Sequence, residues 1–152
     1  MTDARALTTA RSELPPGSPA LASALSRGGV QLLQLRMWSE ADSILRECLK
    51  IREQISPDAA VNFNVKSLIG QALLGLGKSK IAHDPTAGRL KIDEAEKWLV
   101  DGYEGMIARL TQIPPDGRIR IKETLQYLVE LYALTERPDK ASSYRTKVEM
   151  FD

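Results

Sequence analysis

Few residues in this chain could do covalent chemistry: one histidine, His83, and one cysteine, Cys48, among 152 residues. A hydrolytic triad needs a nucleophile, a base and an orienting acid within reach of one another. His83 lies in the irregular stretch Lys78 to Leu90, whereas Cys48 recurs in register with Ala41, Ile44 and Leu45 on an apolar helix face, where a thiol serves as packing. Metal binding would fall to carboxylates alone. Asp93, Glu94, Glu96 and Asp101 are scattered round a helix whose outer face is charged in any case. Gly70, Gly75 and Gly77 invite comparison with a phosphate loop, but they lie within or at the end of a helical pattern, and neither GxxxxGK[ST] nor GxGxxG occurs. The chain has none of the kinase motifs. These residues predict no enzyme, no cofactor and no metal.

Non-covalent chemistry has more to work with. Lys78, Lys80, Arg89 and Lys91 gather in one stretch and Arg118, Arg120 and Lys122 in another. Placed side by side they would form a patch for an acidic peptide or a phosphate; placed apart they are ordinary solvated surface. With 21 Lys and Arg against 20 Asp and Glu the formal net charge is +1, which predicts no nucleic-acid partner. A single cysteine rules out an intrachain disulfide. The N-terminal stretch lacks the apolar core of a signal peptide, and no segment approaches the roughly 18 apolar residues of a membrane span. The expectation is a cytoplasmic protein with no membrane partner.

The elements that would carry these residues read as helices throughout. In Leu68, Ile69, Leu73 and Leu74, and again in Ala95, Trp98, Leu99 and Tyr103, large apolar residues recur at spacings of three and four, with Gly70 and Gly102 where a neighbouring backbone must come close. The pattern predicts a hairpin of two helices over Asn64 to Tyr103. Further helices are predicted from Pro19, from Trp38, from about Ala59 to Leu76 with Gly77 as C-terminal cap, from about Lys91 to Thr111, from about Arg118 to Leu134, and from Pro138 to about Met150. Lys78 to Leu90, with His83, Pro85 and Gly88, reads as a loop. Two adjacent glycines, Gly28 and Gly29, cost about 1 kcal/mol each inside a helix and imply that something presses on them. No run alternates as a strand does, so the fold class is all-α.

The chain also repeats itself. Arg11, Leu14, Pro16 and Gly29 match Arg52, Ile55, Pro57 and Gly70 at one offset of 41 residues. Ala41, Leu45, Cys48 and Leu49 match Ala95, Leu99, Gly102 and Tyr103 at an offset of 54, the excess of 13 being the length of the stretch from Lys78 to Leu90. A third, more divergent copy carries Leu128, Tyr132 and Ala141.

These copies resemble tetratricopeptide repeats. The second supplies Gly70, Leu73, Gly77, Ile92, Ala95, Leu99 and Gly102 at the motif's small and large positions. The first supplies Gly29, Leu32, Trp38, Ala41, Leu45 and Cys48, with Arg36 departing at the turn. The third has Val129, Tyr132 and Ala141, with Pro138 and Arg145 departing. The long period is similar to repeats of the kinesin-light-chain type, and EADSILRECLKIREQ resembles the repeats that trail the catalytic domain of bacterial serine/threonine kinases. The resemblance implies an α–α superhelix of about three helical hairpins: residues 1–17 as a tail or the partial helix of a preceding repeat, then a domain over 18–152 with copies at 18–57, 58–113 (insertion 78–90) and 114–152.

It also implies a site. The first helix of each hairpin would line a concave surface, presenting Arg27, Val30 and Gln34, then Asn64, Ser67 and Gln71, then Glu123, Gln126, Tyr127 and Glu130. Kinesin-light-chain repeats carry an asparagine pair where this chain has Ser67-Leu68. Amides would hydrogen-bond an extended peptide and Tyr127 would anchor it. The expected function is a non-enzymatic scaffold binding a protein or peptide segment through Arg27, Asn64, Ser67, Gln71, Gln126, Tyr127 and Glu130. The alternative is a structural or self-assembly segment of a longer repeat protein, with a homo-oligomer as its partner.

Overall fold

A computed structural model describes residues 3–152. Among these residues the chain is all-α: α1 (Asp3–Glu13), α2 (Pro19–Gln34), α3 (Trp38–Ile55), α4 (Ala60–Lys80), α5 (Pro85–Ala108), α6 (Ile119–Leu134) and α7 (Pro138–Glu149), with short 3-10 turns at Leu110–Gln112 and Pro115–Arg118 and no strand.

Local chemistry sets the boundaries. The Ser18 hydroxyl accepts from the Leu21 amide at 3.1 Å, and Pro19 occupies the first turn of α2, where its missing N–H costs nothing. Asp84 caps α5 in the same way, accepting from Ala87 N at 3.1 Å ahead of Pro85. The ends of α2 and α6 share one closure. Met37 N donates to Leu32 O at 2.9 Å and Arg137 N to Tyr132 O at 2.8 Å, with Arg36 (φ 59°) and Glu136 (φ 57°) in the left-handed conformation between them.

Consecutive helices pack as antiparallel neighbours. In the α4–α5 pair, Gly102 meets the Phe63 carbonyl and Ser67, Gly70 meets Leu99, and Gly77 meets Ile92, so residue numbers run in opposite directions along the contact. The same order holds between α2 and α3, where Leu45 covers Gly29 and the Cys48 thiol donates to Ala22 O at 3.3 Å. Leu7 of α1 lies on Gly28, so both of the paired glycines are pressed on, as their helix position requires. One apolar cluster extends from Leu7 through Leu45, Ile69 and Leu99 to Tyr132 and Ala141, and a smaller one holds Met106, Ile121 and Leu125.

The stretch expected to be a loop, Lys78 to Leu90, is mostly helical. Helix α4 continues to Lys80 and α5 begins at Pro85, leaving only Ile81 to Asp84 between them. Gly77 is therefore not a C-terminal cap; it is buried inside α4. A Cβ there would lie 2.8 Å from the Gly88 carbonyl oxygen, and one on Gly88 would lie 2.7 Å from the Ile81 Cα. The two glycines let the backbones of α4 and α5 touch, so the thirteen residues lengthen both arms of the hairpin. Pro85 starts a helix here, and Gly88 packs one.

Candidate binding groove

Helices α2, α4 and α6 are the first arms of the three consecutive pairs α2–α3, α4–α5 and α6–α7, and together they line an open groove of about 800 Å³. Helical spacing explains which side chains reach it. Leu68, Gln71, Leu74, Gly75 and Lys78 follow one face of α4, and Arg120, Glu123, Tyr127 and Glu130 follow one face of α6. The opposite faces are spent on the core, as with Ile69 and Leu73 in α4 and Leu125 and Leu128 in α6, all of them fully buried.

The groove is divided in character. Its α2 side is apolar, with Val30 and Leu33, and the Trp38 indole lies directly over Gly75, where any side chain would displace the ring. Its α6 side is polar and internally neutralised. Lys78 of α4 pairs with Glu130 of α6, and Arg120 pairs with Glu123 at 3.2 Å. Between these pairs stands Tyr127, half-buried; burial first, and then the nearby Glu123 and Glu130, push its phenol above the usual range, so it stays a neutral hydrogen-bonding group.

Of the residues expected at the site, the structure brings Gln71, Tyr127 and Glu130 together in this groove, along with Val30, Gln34 and Glu123. Arg27 and Gln126 are exposed but lie outside the lining, as does half-buried Asn64. Ser67 is buried at 1% exposure and its hydroxyl is 2.5 Å from that of Thr124, which itself donates to Arg120 O at 2.7 Å. Helix α6 thus closes over Ser67. Sequence reading did not single out Arg36, Trp38 and Ser79 as groove residues. One signal was available for the first of them, its departure from the repeat pattern at the turn.

Five of the seven basic residues in the two stretches pair with acids, Lys80 and Arg118 being the exceptions among the described residues. Arg89 pairs with Asp93 at 2.9 Å, Lys91 with Glu94 at 3.8 Å and Lys122 with Asp152, besides the two groove pairs. Among the described residues no group of three or more His, Cys, Asp and Glu is arranged to hold a metal ion. Cys48 is fully buried and its thiol is pushed up by that burial, which holds it in the unreactive protonated form. His83 is exposed in the α4–α5 turn. No helix among the described residues is long and apolar enough to cross a membrane. No protein-family model matches the chain, and no curated protein is significantly similar to it.

Proposed function

We propose that the chain is a non-enzymatic interaction scaffold of the cytoplasm, a tetratricopeptide-like stack of three helical hairpins whose concave side takes an extended peptide segment of a partner protein. The observation that carries this reading is the groove between α2, α4 and α6, with Gln34, Gln71 and Ser79 offering hydrogen bonds to a peptide backbone beside the apolar Leu33 and Trp38. A second reading, self-assembly, is favoured by Ile55 and Val61, 49% and 40% exposed beside a small apolar pocket that also includes Pro19. In the first reading the protein is monomeric in light scattering. Selection from a displayed library of random seven-residue peptides then enriches sequences whose binding weakens in both Gln71→Ala and Tyr127→Ala. Enriched peptides that bind both variants as well as the parent would place the site elsewhere.

A further inference from the structure

A second concavity lies outside the groove and shares none of its lining. It is a slot of about 90 Å³ where the start of α2, the end of α3 and the start of α4 meet, with Pro19, Ala22, Ile55 and Val61 as its apolar wall. Ile55 and Val61 are 49% and 40% exposed, so that wall reaches solvent. Two polar side chains join it. Asn62 is 1% exposed; its Nδ2 donates to Ser56 O at 2.7 Å, whereas its Oδ1 is buried and accepts from no group among the described residues. Turning the amide over would set Oδ1 against the Ser56 carbonyl, acceptor against acceptor, so the free acceptor is fixed on its side of the amide. A buried acceptor left unpaired is costly, and a donor is its missing counterpart. Arg52 also lines the slot and forms no ion pair among the described residues; its Nε donates to Cys48 Sγ at 3.4 Å.

The size of the slot sets the kind of occupant. Sites that take whole small molecules start at roughly 300 Å³, and a closed cavity of about 150 Å³ takes benzene. This slot admits the end of one ring whose remainder is held from outside. We infer that it seats a tyrosine side chain presented by a partner protein. The phenol O–H donates to Asn62 Oδ1, the ring lies along Ile55 and Val61, and the Arg52 guanidinium faces its π surface. Phenylalanine would leave the Asn62 acceptor buried and unpaired, and an aliphatic side chain would offer Arg52 no π face. A second copy of this chain is not the occupant, because none of its four tyrosines is exposed: Tyr132 is buried, and Tyr103, Tyr127 and Tyr144 are partly covered. Tyrosine, an apolar body with a polar tip, is among the residues on which interfaces concentrate their energy.

Methyl carbon–proton and nitrogen–proton spectra of the full chain, titrated with the end-blocked tripeptides Ala-Tyr-Ala, Ala-Phe-Ala and Ala-Leu-Ala, test this. The tyrosine peptide should shift the Ile55 and Val61 methyls and the Asn62 side-chain amide saturably, with Gln34 and Gln71 of the groove unmoved. Affinity should fall about five- to tenfold for the phenylalanine peptide, as for loss of one hydrogen bond, and further for the leucine peptide. Arg52→Met keeps an apolar stem and removes the charge; with its fold confirmed by circular dichroism, it should weaken the tyrosine peptide about threefold. Equal affinity for the tyrosine and phenylalanine peptides, or no saturable shift at Ile55 and Val61, overturns the inference. So does a shift of those methyls on diluting the protein alone, which would put a second copy in the slot. Free phenol binding more tightly than the tyrosine peptide would make the slot a small-molecule site and overturn it as well.

Discussion

Gly70 of α4 lies bare against Leu99 of α5: a Cβ on Gly70 would come within 2.6 Å of the Leu99 Cγ and 3.1 Å of the Leu99 backbone nitrogen. A side-chain tip can turn aside, but a helix backbone can do so only by moving the helix. The residue that costs α4 intrinsic stability is therefore what lets it nest against α5.

Gly70→Ala is accordingly expected to destabilise the protein. Overpacking a close crossing costs about 1–3 kcal/mol, and the gain in helix propensity of about 1 kcal/mol offsets only part of it. Urea denaturation should give a net loss of roughly 1 kcal/mol. The control is Gly117→Ala, where a Cβ would meet nothing closer than 3.3 Å; its midpoint should stay within about 0.5 kcal/mol of the parent. Equal midpoints for the two variants would mean that the crossing is not tight.

The left-handed turns at Arg36 and Glu136 give the opposite sign. Arg36→Gly and Glu136→Gly each relieve about 1–2 kcal/mol of backbone strain, against roughly 0.5–1 kcal/mol of extra entropy lost by glycine on folding. Thermal unfolding should show stabilisation of about 0.5–1 kcal/mol in each. A lower melting temperature in both variants would contradict the turn geometry.

Ser67 and Gln71 sit one helical turn apart and separate core from groove. Ser67→Ala removes a buried hydrogen bond to Thr124 and should cost about 1 kcal/mol of stability while leaving peptide binding intact. Gln71→Ala should leave stability within about 0.5 kcal/mol and weaken binding. Chemical denaturation and peptide titration of the same two variants check both halves.

Alkaline pH tests the α5–α6–α7 contact. The Tyr132 phenol donates to Glu96 Oε2 at 2.8 Å, and Arg137 Nη2 pairs with the same carboxylate at 3.0 Å. Burial first, then the bond to Glu96, raise the phenol above its ordinary value of about 10. Below that value folded and unfolded phenols are both protonated and the stabilisation is complete. As the pH rises past about 10 the unfolded phenol ionises first, the folded state holds more protons, and stability falls. The melting temperature should stay level to about pH 9, decline above pH 10, and decline less steeply in Tyr132→Phe. An unchanged slope in that variant would assign the decline to Tyr103, Tyr127 and Tyr144, which burial also raises.

Much of this arrangement is legible in the sequence, because packing leaves marks of size and spacing. Gly29 under Leu45, Gly70 under Leu99, and the buried Ala41, Ala95 and Ala141 are small residues where large ones would keep helices apart. The extension of α4 and α5 was hidden because proline and glycine each have two meanings. Pro85 and Gly88 break a helix interior, yet at a first turn and at a backbone contact they build one. The groove was legible only in outline. Periodicity assigns a residue to a face of its own helix, but whether Ser67 is open or covered depends on where α6 lies across α4, and nothing local to Ser67 records that. Arg36 could be noticed as a departure at a turn, but not as a groove residue, because its position there depends on where α4 and α6 lie relative to α2.

The most direct test is a nitrogen–proton correlation spectrum of the labelled protein titrated with a library-selected peptide. The groove account predicts shifts at the Gln34 and Gln71 side-chain amides and at the backbone amides around Arg36, Lys78 and Tyr127, with Arg46 and Trp98, which stack on each other outside the groove lining, unmoved. Shifts confined to Arg46, Trp98 and their neighbours, with α2, α4 and α6 silent, would contradict it.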